Sequence, residues 1–237
     1  MKIKAVKKLG FGWKKYVIEF ISVFTAVLFA FVLNNWSDNR KDRNAESKIL
    51  SEISHGLRKD SKDIKVNTHG HMVGLAACNY WRRVINNEQF DEDSLQTYYF
   101  GLTRDYISIQ NISGYETLKS KGLEIIKNDS LRFEIISLYE YDFNTLRKFE
   151  EEYNEMQFQS NYFNDINNII APFLNFNKLG NIESINLPIE LKNSHKNLLF
   201  SYLLKIKNNR EFILSYYSEI DIKVRNLITN IDKELGK

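Results

Sequence analysis

The residues best suited to metal chemistry lie between positions 52 and 71. Glu52 precedes His55 by three residues, a spacing that places both side chains on one face of a helix, as in di-metal carboxylate proteins. His69 and His71 follow, separated by Gly70, at a predicted break in the helix. A di-metal site needs a second Glu-x-x-His pair on a facing helix, and the sequence contains none. The histidines are therefore interpreted as exposed turn residues, and no metal or other cofactor is expected.

Cys78 is the only cysteine, and it lies in an apolar helical segment beside Ala77 and Tyr80. A thiol in such surroundings is usually buried and inert, and no intramolecular disulfide can form. The sequence also contains no glycine-rich phosphate loop and no G-x-S-x-G nucleophile turn. The chain is therefore not expected to be an enzyme.

Two further groups of residues could bind a partner or a ligand. The acidic run Glu150-Glu151-Glu152, with Glu155 after it, is interpreted as the solvated face of a helix rather than a cation-binding surface. A dense aromatic set follows nearly the same segment, and core packing is its simplest meaning, although a ligand groove between helices is an alternative. This set comprises Tyr139, Tyr141, Phe143, Phe149, Tyr153, Phe158, Tyr162 and Phe163.

The composition predicts a folded, all-α protein. Hydrophobic residues make up 43% of the 237 residues and charged residues 27%, so a packed core can form. Only two prolines and ten glycines interrupt the chain, which favours long helices. The 33 basic and 30 acidic residues are well mixed, and the net charge is +3, so a nucleic acid is not an expected partner.

The apolar segment from Val17 to Leu33 predicts a transmembrane helix over residues 16–36. Its only ionisable residue is Glu19, and with its flanks it offers about 20 residues, enough for a hydrocarbon layer of about 30 Å. Aromatic residues that could anchor it at the two membrane interfaces are Trp13, Tyr16 and Trp36. A cleaved signal peptide is the alternative, but the exit sequence lacks the small-x-small pattern of a cleavage site.

The distribution of basic residues predicts the orientation of this helix. The segment before it, residues 1–15, carries six lysines, whereas the stretch after it carries four basic residues up to Lys48. The positive-inside rule therefore favours a cytoplasmic N-terminus in a bacterial inner membrane, with the C-terminal domain in the periplasm.

One stripe of the transmembrane segment predicts contact with a second helix. Its members recur every three or four residues and so share one helical face: Glu19, Ser22, Ala26, Ala30 and Asn34. Small residues at this spacing allow two membrane helices to approach closely, which predicts a homo-oligomer or contact with another envelope protein. Alternatively, Glu19 reaches the headgroups and the small residues have no packing role.

Periodicity after the span predicts a helical domain in three early parts. An amphipathic stalk covers residues 37–66, a second helix residues 67–87, and a third residues 91–106. A capping box of Ser113 and Glu116 predicts a short helix over 115–126.

The second half of the chain predicts two long helices. Asn128 should cap a helix that runs from about 131 to 170, residues 172–193 should form a loop, and Ser194 should cap a final helix over 195–235. The apolar stripe expected on the final helix is Leu199, Leu203, Ile206, Ile213, Tyr217, Ile220 and Leu227. Residues 67–237 are thus predicted to form an elongated antiparallel helical bundle.

Two segments resemble a family of single-pass membrane proteins of unknown function found in Bacteroidetes. The first is IEFISVFTAVLFAFVLNNWSDNRKDR, in which the resemblance is most specific around Asn34, Asn35, Trp36 and Arg40. The second is GYETLKSKGLEIIKNDSLRFEIISLYEYD, which resembles the central segment of that family. The resemblance implies a single span followed by a helical domain, and it implies no reaction, cofactor or partner.

These observations predict a membrane-tethered helical module that binds a ligand or senses a partner. The alternative function is a structural or assembly subunit that oligomerises through the transmembrane helix and the stalk.

Overall fold

The computed structural model of the chain describes residues 13–236 and is mostly helical, at 81%. The predicted basic segment before Trp13 lies outside the described residues. The helices are α1 (Trp13–Ile85), α2 (Leu95–Thr103), α3 (Ser113–Lys121), α4 (Asp129–Ile136), a π-helix (Ser137–Asp142), α5 (Phe143–Glu151), α6 (Phe158–Ile170) and α7 (Asn193–Glu234), and the strands are β1 (Leu174–Phe176) and β2 (Ile182–Ile185). Short 3₁₀ turns cover Glu92–Ser94, Leu123–Ile125, Asn154–Met156 and Ala171–Phe173.

The chain divides into two compact units, one up to Lys48 and one from Ile49 onward. In the first unit every described residue is helical, and the apolar side chains from Val17 to Leu33 are all exposed. The second unit contains the hydrophobic core.

The helix that begins at Trp13 continues without interruption to Ile85, so the predicted break and the separate helix over 67–87 were wrong. Gly70 stays helical, and the ring of Tyr106 packs directly on it. A Cβ at this position would lie 2.1 Å from Tyr106 Cε1. The glycine therefore serves close packing here rather than a turn.

Within the second unit, α1 and α7 pack side by side and run antiparallel. Ser54 Oγ donates to Asp232 Oδ1 at 3.2 Å. Further along α1, His71 Nδ1 accepts from Arg210 Nη1 at 3.0 Å. Residue numbers rise along α1 as they fall along α7, which defines the antiparallel direction. The seven apolar positions predicted on the final helix are all buried, so that prediction is confirmed.

The predicted helix over 131–170 is interrupted, and this prediction was wrong. A π-helix follows α4, and the chain leaves the helical path again between Glu151 and Phe158. Asp105 from another part of the chain accepts hydrogen bonds from the backbone N–H groups of Phe158 (2.7 Å) and Gln159 (3.3 Å). Because a distant carboxylate satisfies the first donors of α6, a new helix starts there.

The predicted caps had mixed outcomes. Asn128 accepts from the backbone N–H of Leu131 at 3.2 Å, which confirms the cap of α4. Ser113 is the first residue of α3 rather than its cap, and its hydroxyl donates to Asn111, so the capping box was wrong. The cap assigned to Ser194 was also wrong, because α7 begins at Asn193 and makes no side-chain cap hydrogen bond.

The segment predicted as a loop over 172–193 contains an antiparallel hairpin, so the chain is not strictly all-α. Leu174 pairs with Ile185, and Asn175 pairs with Ser184. The reversal uses Gly180, whose φ of +80° lies in the left-handed region that favours glycine. Leu174 and Ile185, which pair with each other at the base of the hairpin, are buried and attach the hairpin to the core.

Candidate functional site

A continuous run of exposed apolar side chains lies on α1 between Val17 and Leu33. A window of this helix has a mean hydropathy of 2.3, and none of it is buried. Phe20, for example, is 70% exposed and Val27 61%. Uncovered apolar surface of this extent marks a site of membrane or protein contact. By length and composition this helix could cross a membrane, and a signal sequence would pass the same test.

The residues of the predicted packing stripe are all exposed, so this face of the helix is open. Its polar members make only local contacts: Ser22 Oγ donates to the carbonyl of Glu19 at 3.1 Å, and Asn34 Nδ2 donates to Asp38 at 3.1 Å. Lys15 Nζ lies 3.9 Å from Glu19 Oε1, one helical turn later. The arrangement leaves Ala26 and Ala30 as the smallest side chains at the middle of the face.

The three predicted interfacial aromatics are exposed near the two ends of the apolar segment. Trp13 and Tyr16 precede it, and Trp36 follows it, with exposures of 66%, 70% and 61%. The guanidinium of Arg40 stacks over the Trp36 ring at 5.8 Å. An aromatic ring paired with a cation suits the boundary between lipid tails and headgroups.

A buried arginine organises the polar interior of the second unit. Arg210 on α7 is fully buried, and its Nη2 donates to the backbone carbonyls of Leu102 (2.9 Å) and Arg104 (3.0 Å) at the end of α2. Its guanidinium also stacks over the Phe158 ring at 4.3 Å. A cation placed on the last carbonyls of a helix satisfies them and complements the helix dipole. Arg210 thus holds the end of α2 against α7.

His71, one of the predicted exposed histidines, is instead buried and accepts a hydrogen bond from Arg210. The Nη1–Nδ1 distance is 3.0 Å, and the ring packs against those of Tyr106 and Tyr217. Burial, reinforced by the neighbouring guanidinium, lowers the pKa of His71 to about 3, so the ring is neutral at physiological pH. His71 is therefore a structural partner of Arg210, and its interpretation as an exposed turn residue was wrong.

The remaining members of the metal candidate set do not join it. His55 and His69 are exposed on α1. Within residues 13–236, no three His, Cys, Asp or Glu side chains form a group that could hold a metal ion.

An extended segment, residues 104–112, lies along α1 and is held there by carboxylates. We call it the strap. Ser108 N–H and Oγ donate to Glu150 Oε2 at 3.0 and 2.9 Å, Ile109 N–H donates to Asp63 at 3.0 Å, and Asn111 N–H donates to Asp60 at 2.8 Å. Burial raises the pKa of Asp60 to about 6. These carboxylates satisfy backbone N–H groups of the strap, which in a sheet would be bonded to a neighbouring strand.

Glu150 is buried, so its interpretation as part of a solvated face was wrong. Besides the two donors of Ser108, it accepts a hydrogen bond from the hydroxyl of Tyr217 on α7. Burial raises the pKa of Glu150 to about 7, and these hydrogen bonds oppose that effect only in part. Glu150 joins α5, the strap and α7 at a single carboxylate.

Cys78 is buried on α1, as predicted. Burial raises the pKa of its thiol to about 12, so the thiolate needed for nucleophilic attack is scarce at neutral pH. The predicted aromatic set is divided in position: Tyr139, Phe143, Phe158 and Tyr162 are buried, whereas Tyr141 and Tyr153 are exposed.

The polar residues that organise the interior were missed in the sequence, although a signal was present. Arg210 falls four residues after Ile206 and three before Ile213, a position where the stripe of α7 calls for an apolar residue. Asp60 interrupts the stripe of α1 in the same way, three residues after Leu57. A charged residue at a core position predicts a buried polar contact, because an unpaired buried charge is unstable.

Comparisons with known proteins return nothing for this chain: no family model, no curated protein and no solved structure matches it.

Proposed function

We propose that this chain is a single-pass protein of a bacterial inner membrane, in which a helical domain is tethered as an interaction or sensory module. The observation that carries the proposal is the apolar surface of residues 17–33, which nothing in the described part of the chain covers. A bilayer supplies the cover that this surface lacks, because a helix of about 20 residues matches its hydrocarbon thickness of about 30 Å.

The course of α1 favours a retained anchor over a cleaved signal peptide. The helix continues from Leu33 through Ser37 and Lys48 without a break. Signal peptidases cleave after small residues beyond a short apolar region, whereas here an Asn-Asn-Trp sequence inside a helix follows the apolar run. Membership of the Bacteroidetes family of single-pass membrane proteins is part of the same proposal.

Binding is proposed rather than catalysis because three buried polar residues, His71, Arg210 and Glu150, hold parts of the fold together. His71 and Arg210 hold α2, and Glu150 holds the strap. The antiparallel pairing of α1 with α7 supports a helical bundle as the architecture of the tethered domain.

Membrane fractionation of the full chain tests the tether. We expect the intact protein in the membrane pellet after alkaline extraction. The double variant Phe24→Arg, Leu28→Arg should leave the pellet, because each arginine at the centre of a span costs about 2.5–3.5 kcal/mol. A matched control is Phe176→Arg, Leu179→Arg, which places the same charges on exposed positions of the hairpin and should remain in the pellet. An intact or shortened wild-type chain in the soluble fraction would contradict the proposal.

The orientation is tested by fusing alkaline phosphatase or a fluorescent protein to Lys237. Active phosphatase is expected, since six lysines precede the span and four basic residues follow it up to Lys48. Fluorescence without phosphatase activity would place the domain in the cytoplasm and reverse the proposed orientation.

A second candidate function is assembly through the membrane helix. The open face that carries Ala26 and Ala30 favours it, since close approach between helices needs small residues at this spacing. The double variant Ala26→Leu, Ala30→Leu should dissociate a dimer in detergent, whereas Ile21→Leu, Val32→Leu, on the opposite face of the helix, should not. A wild-type chain that is monomeric in detergent would refute this candidate.

A further inference from the structure

A stripe of basic and apolar side chains runs along the exposed face of α1 beside the strap. Its members recur at intervals of four and three residues, so they share one face of the helix: His55, Lys59, Lys62, Val66 and His69. All five are exposed. No acidic residue occupies the stripe between its first and last members, so the charge along it is positive.

The carboxylates next to these lysines in sequence face the strap. Asp60 is buried and accepts from a backbone N–H of the strap, and Asp63 Oδ2 accepts from the N–H of Ile109. Within residues 13–236, neither Lys59 nor Lys62 forms an ion pair. Both ammonium groups can therefore bind an acceptor from outside the chain.

The contacts between α1 and the strap place Val66 beside the strap. The N–H of Ile109 is bonded to Asp63, and the ring of Tyr106 packs on Gly70. Val66 falls three residues after Asp63 and four residues before Gly70, so it lies one helical turn from each of these contacts. Its side chain therefore stands next to the middle of the strap.

Apolar side chains at this place are exposed together. Ile109 of the strap is 79% exposed, and Ile107 and Val66 are also exposed. A helix face that serves only solvation needs the lysines but gains nothing from three β-branched apolar side chains. Grouped apolar exposure of this kind is typical of a surface that another molecule covers. We call Lys59, Lys62, Val66, Ile107 and Ile109 the Lys–Ile surface.

The composition of the Lys–Ile surface indicates the chemistry of its partner. Two ammonium groups without an ion pair suit carboxylates, and the exposed apolar side chains suit apolar ones. A neutral apolar partner would cover the ammonium groups without pairing them, which is unfavourable. An anionic membrane surface fits less well than a protein, because the negative surface potential that attracts basic segments belongs to the cytoplasmic leaflet, whereas the domain is proposed to be periplasmic.

We propose that the Lys–Ile surface binds an acidic segment of a second protein, in which carboxylate side chains are interspersed with apolar ones. The carboxylates accept hydrogen bonds from Lys59 and Lys62, and the apolar side chains pack on Val66, Ile107 and Ile109. The proposal rests on the proposed function, since it gives the tethered interaction module a class of partner. The two can fail separately, because fractionation reports the tether and peptide titration reports the surface.

The test is fluorescence anisotropy of labelled synthetic peptides titrated with the full chain in a neutral detergent. Three peptides of equal length combine glutamate with leucine, glutamate with serine, and lysine with leucine. The glutamate–leucine peptide should bind most tightly, and added salt should weaken its binding because exposed ion pairs are screened. Absence of binding by this peptide would overturn the proposal, and so would equal binding by either of the other two.

Charge-reversal variants locate the binding. Lys59→Glu, Lys62→Glu should weaken the affinity for the glutamate–leucine peptide by about tenfold or more, because attraction becomes repulsion. The matched control Lys178→Glu, Lys205→Glu changes the net charge equally at exposed positions outside the surface and should bind like the wild type. An equal loss in the two double variants, or no loss in the first, would refute the assignment.

The apolar part of the surface is tested in the same titration. Ile109→Ser should weaken the affinity several-fold, whereas Leu179→Ser, at an exposed position of the hairpin, should not. A short-chain phosphatidylglycerol, added below its micelle concentration, should not displace the glutamate–leucine peptide. Displacement by this lipid would assign the surface to an anionic headgroup and overturn the proposal of a protein partner, as would wild-type affinity in Ile109→Ser.

Discussion

The carboxyl group of Glu150 should make the fold more stable in mild acid than at neutral pH. Its pKa rises from 4.5 to about 7 on folding, chiefly because the group is buried. The native state therefore binds the proton more tightly than the unfolded state does. The stabilising contribution is fully present below pH 4.5 and is lost as the pH rises through about 7. Each pKa unit corresponds to about 1.4 kcal/mol, so the whole change is roughly 3 kcal/mol.

The variant Glu150→Gln isolates this contribution. Glutamine resembles the protonated acid in shape and cannot ionise, while its amide oxygen can still accept from Tyr217. The amide nitrogen cannot accept the hydrogen bonds that Ser108 donates to Glu150 Oε2, but this loss of stability does not depend on pH. Two other buried groups also make the stability depend on pH. Asp60, with a pKa raised to about 6, acts in the same direction as Glu150, whereas His71, with a pKa lowered to about 3, acts in the opposite direction. Both are retained in the variant. The difference between variant and wild type therefore reports Glu150 alone.

Urea unfolding of the full chain in detergent, followed by circular dichroism at a series of pH values, measures the effect. From acid to above neutral pH, the variant should gain up to about 3 kcal/mol of stability relative to the wild type. Glu151→Gln, at the exposed neighbouring position, should show no comparable trend. A stability difference between Glu150→Gln and wild type that stays constant over this pH range would refute the conclusion that burial of Glu150 controls its protonation.

Three other substitutions test the packing of the second unit by the same unfolding measurement. Gly74→Ala should lower the free energy of unfolding by about 2–3 kcal/mol, because a Cβ there would lie 2.3 Å from the guanidinium carbon of Arg210. The control Gly101→Ala should lower it clearly less, because its Cβ would meet only a Val73 methyl at 3.1 Å. Equal losses of stability in the two variants would contradict the close packing at Gly74. Arg210→Met should lower the free energy of unfolding by about 3–5 kcal/mol, because the His71 ring and the carbonyls at the end of α2 lose their hydrogen-bond donor. Lys207→Met, at an exposed position of the same helix, should leave the stability nearly unchanged. Asp105→Ala should cost about 1 kcal/mol through loss of the cap of α6, and Asp105→Asn should retain part of the stability, so full equivalence of these two variants would argue against a capping role.

Features with a regular period along the chain could be predicted from the sequence. The apolar run of residues 17–33 defines its helix, and the stripe from Leu199 to Leu227 defines the buried face of α7. Both follow from the 3.6-residue turn, which depends only on neighbouring residues. The cap at Asn128 is equally local, since it spans three residues.

Features that depend on distant residues could not be predicted. Gly70 indicated a break, but the glycine instead makes room for the ring of Tyr106, which lies 36 positions later, and α1 is continuous. The start of α6 is set by Asp105, more than fifty positions earlier. Periodicity alone predicts an uninterrupted helix through this region, because nothing local reveals the donor or acceptor that ends it.

The candidate sites show the same division. The sequence by itself determined the apolar surface of α1, the stripe of small residues on it and the flanking aromatics, because all of these lie within a few helical turns. Only the tertiary structure decided that Glu150 and His71 are buried, and that Asp142 pairs with Lys223. The physical reason is that burial and charge pairing are set by whichever segments fold against a residue, and these segments come from distant parts of the chain.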